Sequence, residues 1–198
     1  EIKHQVLFRR IEEMIAAGMP AGYRFIPDPN EVAAAVLERS TWAVLALILE
    51  IELFTQEHYK QSIGPDESLS QLYKDIFLFH WKEETTHAIM DELEWPAEDK
   101  RLTSAQRDRA VDELIELVGA VDGILQVQST ADVDYFLMHK SSPLNVTETA
   151  EVKDCVLKAY RWQYIFSGVE HPRYRAAMES LVTDAQARRI HKALELLM

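Results

Sequence analysis

Glycine is scarce in this sequence, with six residues among 198, or about 3% where soluble proteins average ~7%. So few glycines leave little material for the tight turns of a β-sandwich or barrel. Cysteine is scarcer still. The lone Cys155 excludes a disulfide framework within the chain and any cysteine-rich zinc knuckle. Basic residues are outnumbered, 21 Lys and Arg against 33 Asp and Glu, for a net charge of −12. That balance argues against a general phosphate-backbone binder, which needs a basic face. Long apolar runs are missing too: Trp42 to Leu49 is eight residues before Glu50 and Glu52 interrupt it, well short of the ~20 that span a bilayer. No basic, apolar, small-residue leader opens the sequence, which starts at Glu1 rather than Met. The expectation is a cytoplasmic protein with neither a membrane nor a nucleic-acid partner.

What is present reads as helix. Apolar residues make up 47% and charged residues 27%, a globular profile. Ile2, Val6, Leu7, Ile11, Met14 and Ile15 recur at helical spacing and stop at Gly18-Met19-Pro20. Asp28-Pro29-Asn30-Glu31 offers an N-cap, a first-turn proline and a capping-box glutamate. The pattern that follows predicts one long helix to about Gln61. A second runs from about Asp66 to Leu93 and stops near Trp95-Pro96. A third opens on the Thr103/Gln106 capping box and ends near His139, and a fourth opens on Asn145/Glu148 and ends near Phe166, closed by Gly168 and Pro172. An amphipathic tail follows from Thr183. The expectation is a single all-α domain over 1–198, its main bundle spanning about 28–168 between flanking helices at 2–17 and 183–197.

Chemistry resides in acids that interrupt apolar helices. Trp42 to Phe54 is apolar on nearly every side, which marks a central helix. Glu50 and Glu52 on it lie about 200° apart on the helical wheel and share no face. The stripe Ala43, Leu47, Glu50, Phe54, Glu57 follows steps of three and four and makes Glu50 the inward candidate. An unpaired buried carboxylate is costly, so it should be protonated, paired or metal-bound. The next helix carries a core stripe of Leu69, Tyr73, Ile76, His80, Glu84, His87 and Asp91. Its His80, Glu84 and His87 fall within roughly 60° of wheel, one above another. Carboxylates from two helices with a histidine one turn away suit iron or manganese.

Glu50 with Glu84-Thr85-Thr86-His87 as a Glu-x-x-His motif resembles the ferritin-like di-iron carboxylate superfamily. The resemblance implies a ferritin-like four-helix bundle, a terminal carboxylate at Glu50, a metal-bridging carboxylate at Glu84 and a histidine ligand at His87. His80 would be a further ligand or would orient one. The implied cofactor is iron, as one ion or two, with manganese as the alternative. The superfamily's other helix pair brings one more Glu and a second Glu-x-x-His. Here Asp132 stands in for that Glu, with Gln128 and His139 on its stripe, and Tyr160-Arg161-Trp162-Gln163 occupies the place of the second motif. Tyr160 and Gln163 can hydrogen-bond a ligand but are poor iron ligands; with Gln128, Asp91 and His139 they are supporting candidates. A second Glu-x-x-His, Glu1-Ile2-Lys3-His4, falls at a frayed chain end and is given no role.

Three readings stay open. One is an oxidase or oxygenase acting on a small organic substrate, with reduced iron reacting with dioxygen. The second is non-catalytic iron binding. The third is a structural or interaction module whose Glu/His cluster is merely buried. A homodimer through exposed parts of the Trp42–Phe54 helix is a further expectation.

Overall fold

Capping side chains start most of the helices in the computed structural model, which describes residues 2–198. The elements are α1 (Ile2–Ala16), α2 (Pro29–Leu37), α3 (Thr41–His58), α4 (Gln71–Asp99), α5 (Ser104–His139), α6 (Val146–Arg161), α7 (Ser167–Val169), α8 (Pro172–Leu181) and α9 (Asp184–Glu195). A π-helical turn, Tyr59–Ile63, continues α3, and another, Trp162–Phe166, joins α6 to α7. No strand occurs among the described residues, and the chain is all-α. None of their helices is long and apolar enough to cross a membrane.

Reciprocal capping boxes form at Thr103/Gln106, Asn145/Glu148 and Thr183/Gln186, each satisfying backbone donors at a helix start. Four boundaries differ from the sequence expectation, the first being the start of α4, which is at Gln71 on the Ser70 cap rather than near Asp66. The pattern from Asp28 to Gln61 breaks in two, because Ser40 takes an extended backbone and caps α3 by accepting from the Ala43 N–H. Pro96 does not stop α4, which runs on to Asp99. A proline this close to the end deletes only one hydrogen bond, and the fully buried Trp95 beside it anchors the turn. Pro172 opens a helix rather than closing one. It occupies the first turn of α8, where its missing N–H costs nothing, and the His171 ring accepts from the Arg173 N–H.

α3 is the central element. It packs against α4, α5, α7 and both π turns, and Trp42, Ala43, Ala46, Leu49 and Leu53 are completely buried along it. The Trp42 and Trp95 rings meet edge to face at 5.0 Å, and Tyr174 stacks on Trp95. Trp42 Nε1 donates to Asp99 Oδ1 at 2.9 Å, and Arg107 clamps the same carboxylate through two nitrogens. That buried polar knot holds the end of α4 against the starts of α3 and α5.

Candidate functional site

Because α3 is apolar nearly all round, Glu50 and Glu52 are both drawn inside, on different faces. Glu52 faces α4. There the carboxylate of Glu84 is only 5% exposed and sits at the centre of a cluster. Its Oε1 lies 2.5 Å from His80 Nε2, one turn earlier on α4, and 3.2 Å from His4 Nδ1 on α1. Its Oε2 lies 2.6 Å from His87 Nδ1, and the same nitrogen is 3.8 Å from Glu52 Oε1. Two sets of ligand-capable groups share Glu84: His4 with His80, and Glu52 with His87. Gln56 reaches the Glu84 carbonyl, and the Phe8 ring packs edge-on against His80 at 4.8 Å.

Burial alone would raise the Glu84 carboxyl. Hydrogen bonds from His80 and Glu52, with the charges of His80 and His4, overcome it and hold the group at about 2. Glu83 points the other way, outside the cluster, where its carboxylate meets His4 Nε2 at 2.5 Å and Lys3 at 2.8 Å. It fixes the second ring nitrogen of His4 and so leaves Nδ1 aimed at Glu84. Asp91, one turn beyond His87, keeps a buried oxygen without a hydrogen-bond partner. Burial, then the nearby Glu94, pushes its carboxyl up to about 6.

The structure thus brings together His80, Glu84 and His87 as the stripe on α4 predicts, and puts Glu52 and His4 with them rather than Glu50 and Asp132. Glu50 is inward, at 4% exposure, but on the face of α3 that meets α7. A Cβ on Gly168 would lie 2.5 Å from the Glu50 carbonyl oxygen and 2.9 Å from its Cδ, so only glycine permits this approach. No hydrogen bond reaches Glu50 Oε1, and burial pushes the carboxyl well above the usual range. Glu50 thus stands apart from the Glu84 cluster, and no group of three ligand-capable side chains among the described residues includes it.

Asp132 and its neighbours form a second assembly. Its carboxylate accepts from the Tyr160 hydroxyl and from Gln128 Nε2 at 2.8 Å, and its charge, after burial, raises the pKa of the Tyr23 hydroxyl. These residues and Glu50 line a cavity of ≈ 350 Å³ bounded by α3, α5, the second π turn and the loop after α1. Gln128 also holds that loop, accepting from the Ile26 N–H and donating to the Arg24 carbonyl. His139 has the same task, with its Nε2 3.0 Å from the Ala21 carbonyl, and takes no part in either site. Gln163 lies in the π turn, and its amide nitrogen is buried without a partner.

In comparisons with known proteins the chain matches no family model, no curated protein and no solved structure. The functional reading therefore stands on the geometry. Two residues of the cluster escape sequence reasoning. Glu52 is hidden because the wheel of an all-round apolar helix does not choose between Glu50 and Glu52. The available signal is Gln56, one turn on, a second polar residue of the same face. His4 is hidden by its place at the chain end. Its signal is the spacing His4, Phe8, Ile11, which makes one inward stripe of α1.

Proposed function

We propose that the chain is a metal-binding protein of the ferritin-like kind, with Glu52, Glu84 and His87 holding a non-haem iron ion and His4 and His80 available for a second. The observation that carries this reading is the division of the Glu84 carboxylate. Oε1 addresses the imidazoles of His4 and His80, and Oε2 the imidazole of His87, which also neighbours Glu52, the division a bridging ligand needs. Three imidazoles and two carboxylates form a donor set suited to iron or manganese. The proposed activity is that of an oxidase or oxygenase on a small organic substrate, in which ferrous iron would supply the electrons to dioxygen. The chain's own part is to hold the donors in register, to orient His4 through Glu83, and to keep water out with Phe8, Phe77 and Leu53.

A second reading follows from the ion pairs themselves. Glu84 is already satisfied by His80, His87 and His4, so the cluster can stand as a structural core of α1, α3 and α4. Elemental analysis after anaerobic loading with ferrous iron and desalting separates the two. The metal reading expects stoichiometric iron in the wild type and in Glu50→Gln, and its loss in Glu84→Gln and Glu52→Gln with helicity retained. Admission of oxygen should then give a new near-ultraviolet absorption. Iron-free wild type after loading, or full retention in Glu84→Gln, leaves only the structural core.

A further inference from the structure

The cavity on the Glu50 face of α3 has a lining with a marked chemical bias. At ≈ 350 Å³ it is within the ~300–1,000 Å³ range of small-molecule sites. Its walls are aliphatic and aromatic, with Phe25, Phe54 and Tyr164 among them, and it contains no Lys, Arg or His. Two carboxyl groups reach it, Glu50 and Asp132. Asp132 is held by two neutral donors, Tyr160 and Gln128, and no cation among the described residues pairs with it. Glu50 also lines the cavity, but its unpartnered Oε1 is packed against Gly168. A carboxylate without a counter-cation, set among aromatic rings, makes a poor site for an anion and a good one for an organic cation.

The backbone around the cavity is built for access by something other than side chains. Gln163 and Tyr164 belong to a π turn, a form found mostly at functional positions. The loop that carries Tyr23 and Phe25 has a left-handed Gly22, φ 110°, and is fastened to α5 by Gln128, Tyr135 and His139. These bonds hold the loop in place against α5 beside the cavity.

We propose that this cavity binds a small organic ammonium ion, its apolar body among the aromatic rings and its nitrogen donating to the Asp132 carboxylate. The site lies on the opposite face of α3 from Glu52 and does not depend on metal at Glu84.

Isothermal titration calorimetry of the purified chain with 2-phenylethylamine, 2-phenylethanol and phenylacetate at neutral pH tests it, the three probes sharing one ring and differing in charge. The amine should bind, the alcohol should bind about tenfold more weakly or worse, and phenylacetate should give no heat of binding. Asp132→Asn should bring the amine down to the level of the alcohol while leaving the alcohol unchanged, which a merely structural role of Asp132 would not do. Ile124→Phe, which fills the space without touching either acid, should weaken amine and alcohol alike, with helicity confirmed by circular dichroism. The proposal is overturned if the amine fails to bind at millimolar concentration or if phenylacetate binds as well. It is equally overturned if folded Asp132→Asn retains the full preference for the amine.

Discussion

Asp91 shows how one misfitted acid writes itself into stability. Its folded-state carboxyl stands at about 6 against an ordinary 3.8, raised first by burial and then by Glu94. The folded chain therefore holds a proton that the unfolded chain has released over that interval. The contribution of Asp91 to stability is fully present below about pH 4, falls as pH rises through the interval, and is lost above about pH 6. Asp91→Asn, which keeps the shape without the charge, should be more stable than wild type by ~1 kcal/mol at pH 7, after allowance for solvent screening of a half-exposed group. At pH 3.5 the two should coincide. Urea unfolding of chelator-treated protein at both pH values measures this, and equal midpoints at pH 7 would dismiss the strain on Asp91. Glu84 has the opposite character: its histidine partners hold it at about 2, so its contribution is present at neutral pH and is lost only on strong acidification.

The elements differ in how far they were decided by their own sequence. α5 is a case of strong local signals: its capping box is where Thr103 and Gln106 predict, and it runs unbroken for 36 residues despite Gly119 and Gly123. A Cβ at either glycine would meet nothing within 4 Å. Gly119→Ala and Gly123→Ala should each stabilise the chain by about 0.5–1 kcal/mol, because they remove backbone freedom from the unfolded state without a clash. Thermal unfolding reads the gain directly; a loss at either position would mean that the glycine admits a neighbour which α5 must accommodate. The α4 stripe was legible for the same local reason, since His80, Glu84 and His87 are fixed relative to one another by helix geometry alone. α3 was not. Its periodicity carries no direction when nearly every face is apolar, so the choice between Glu50 and Glu52 falls to tertiary packing: α4 on one side, α7 and the second π turn on the other. The break at Ser40 had a local signal, the polar run Glu38-Arg39-Ser40-Thr41 between two apolar stretches, with Ser40 as the cap. His4 lay furthest from view, since α1 is brought to α4 by contacts dozens of residues away in sequence.

For the molecule as a whole, this dependence of α1 on a distant cluster makes its docking a function of what the cluster holds. α1 buries only His4 and Ile11, and it exposes Ile2, Val6, Met14 and Ile15. Its ties to the rest run through Lys3 and His4 to Glu83 and Glu84, and through Phe8 to Phe77 and His80. An ion that takes His4 Nδ1 as a ligand would join α1 to α4 by a bond far stronger than these contacts. Any ligand bound only by the folded chain adds stability by mass action, ~2.7 kcal/mol at a free concentration one hundred times its dissociation constant. Manganese(II), which needs no protection from air, should therefore raise the melting temperature of the wild type and slow amide hydrogen exchange along α1. His4→Ala should keep part of the thermal shift through Glu52, Glu84 and His87 but lose the protection of α1. Glu84→Gln should lose both, and Glu50→Gln neither. A melting temperature indifferent to manganese, or a shift that survives in Glu84→Gln, would separate the fold from metal binding and leave α1 held by its ion pairs alone.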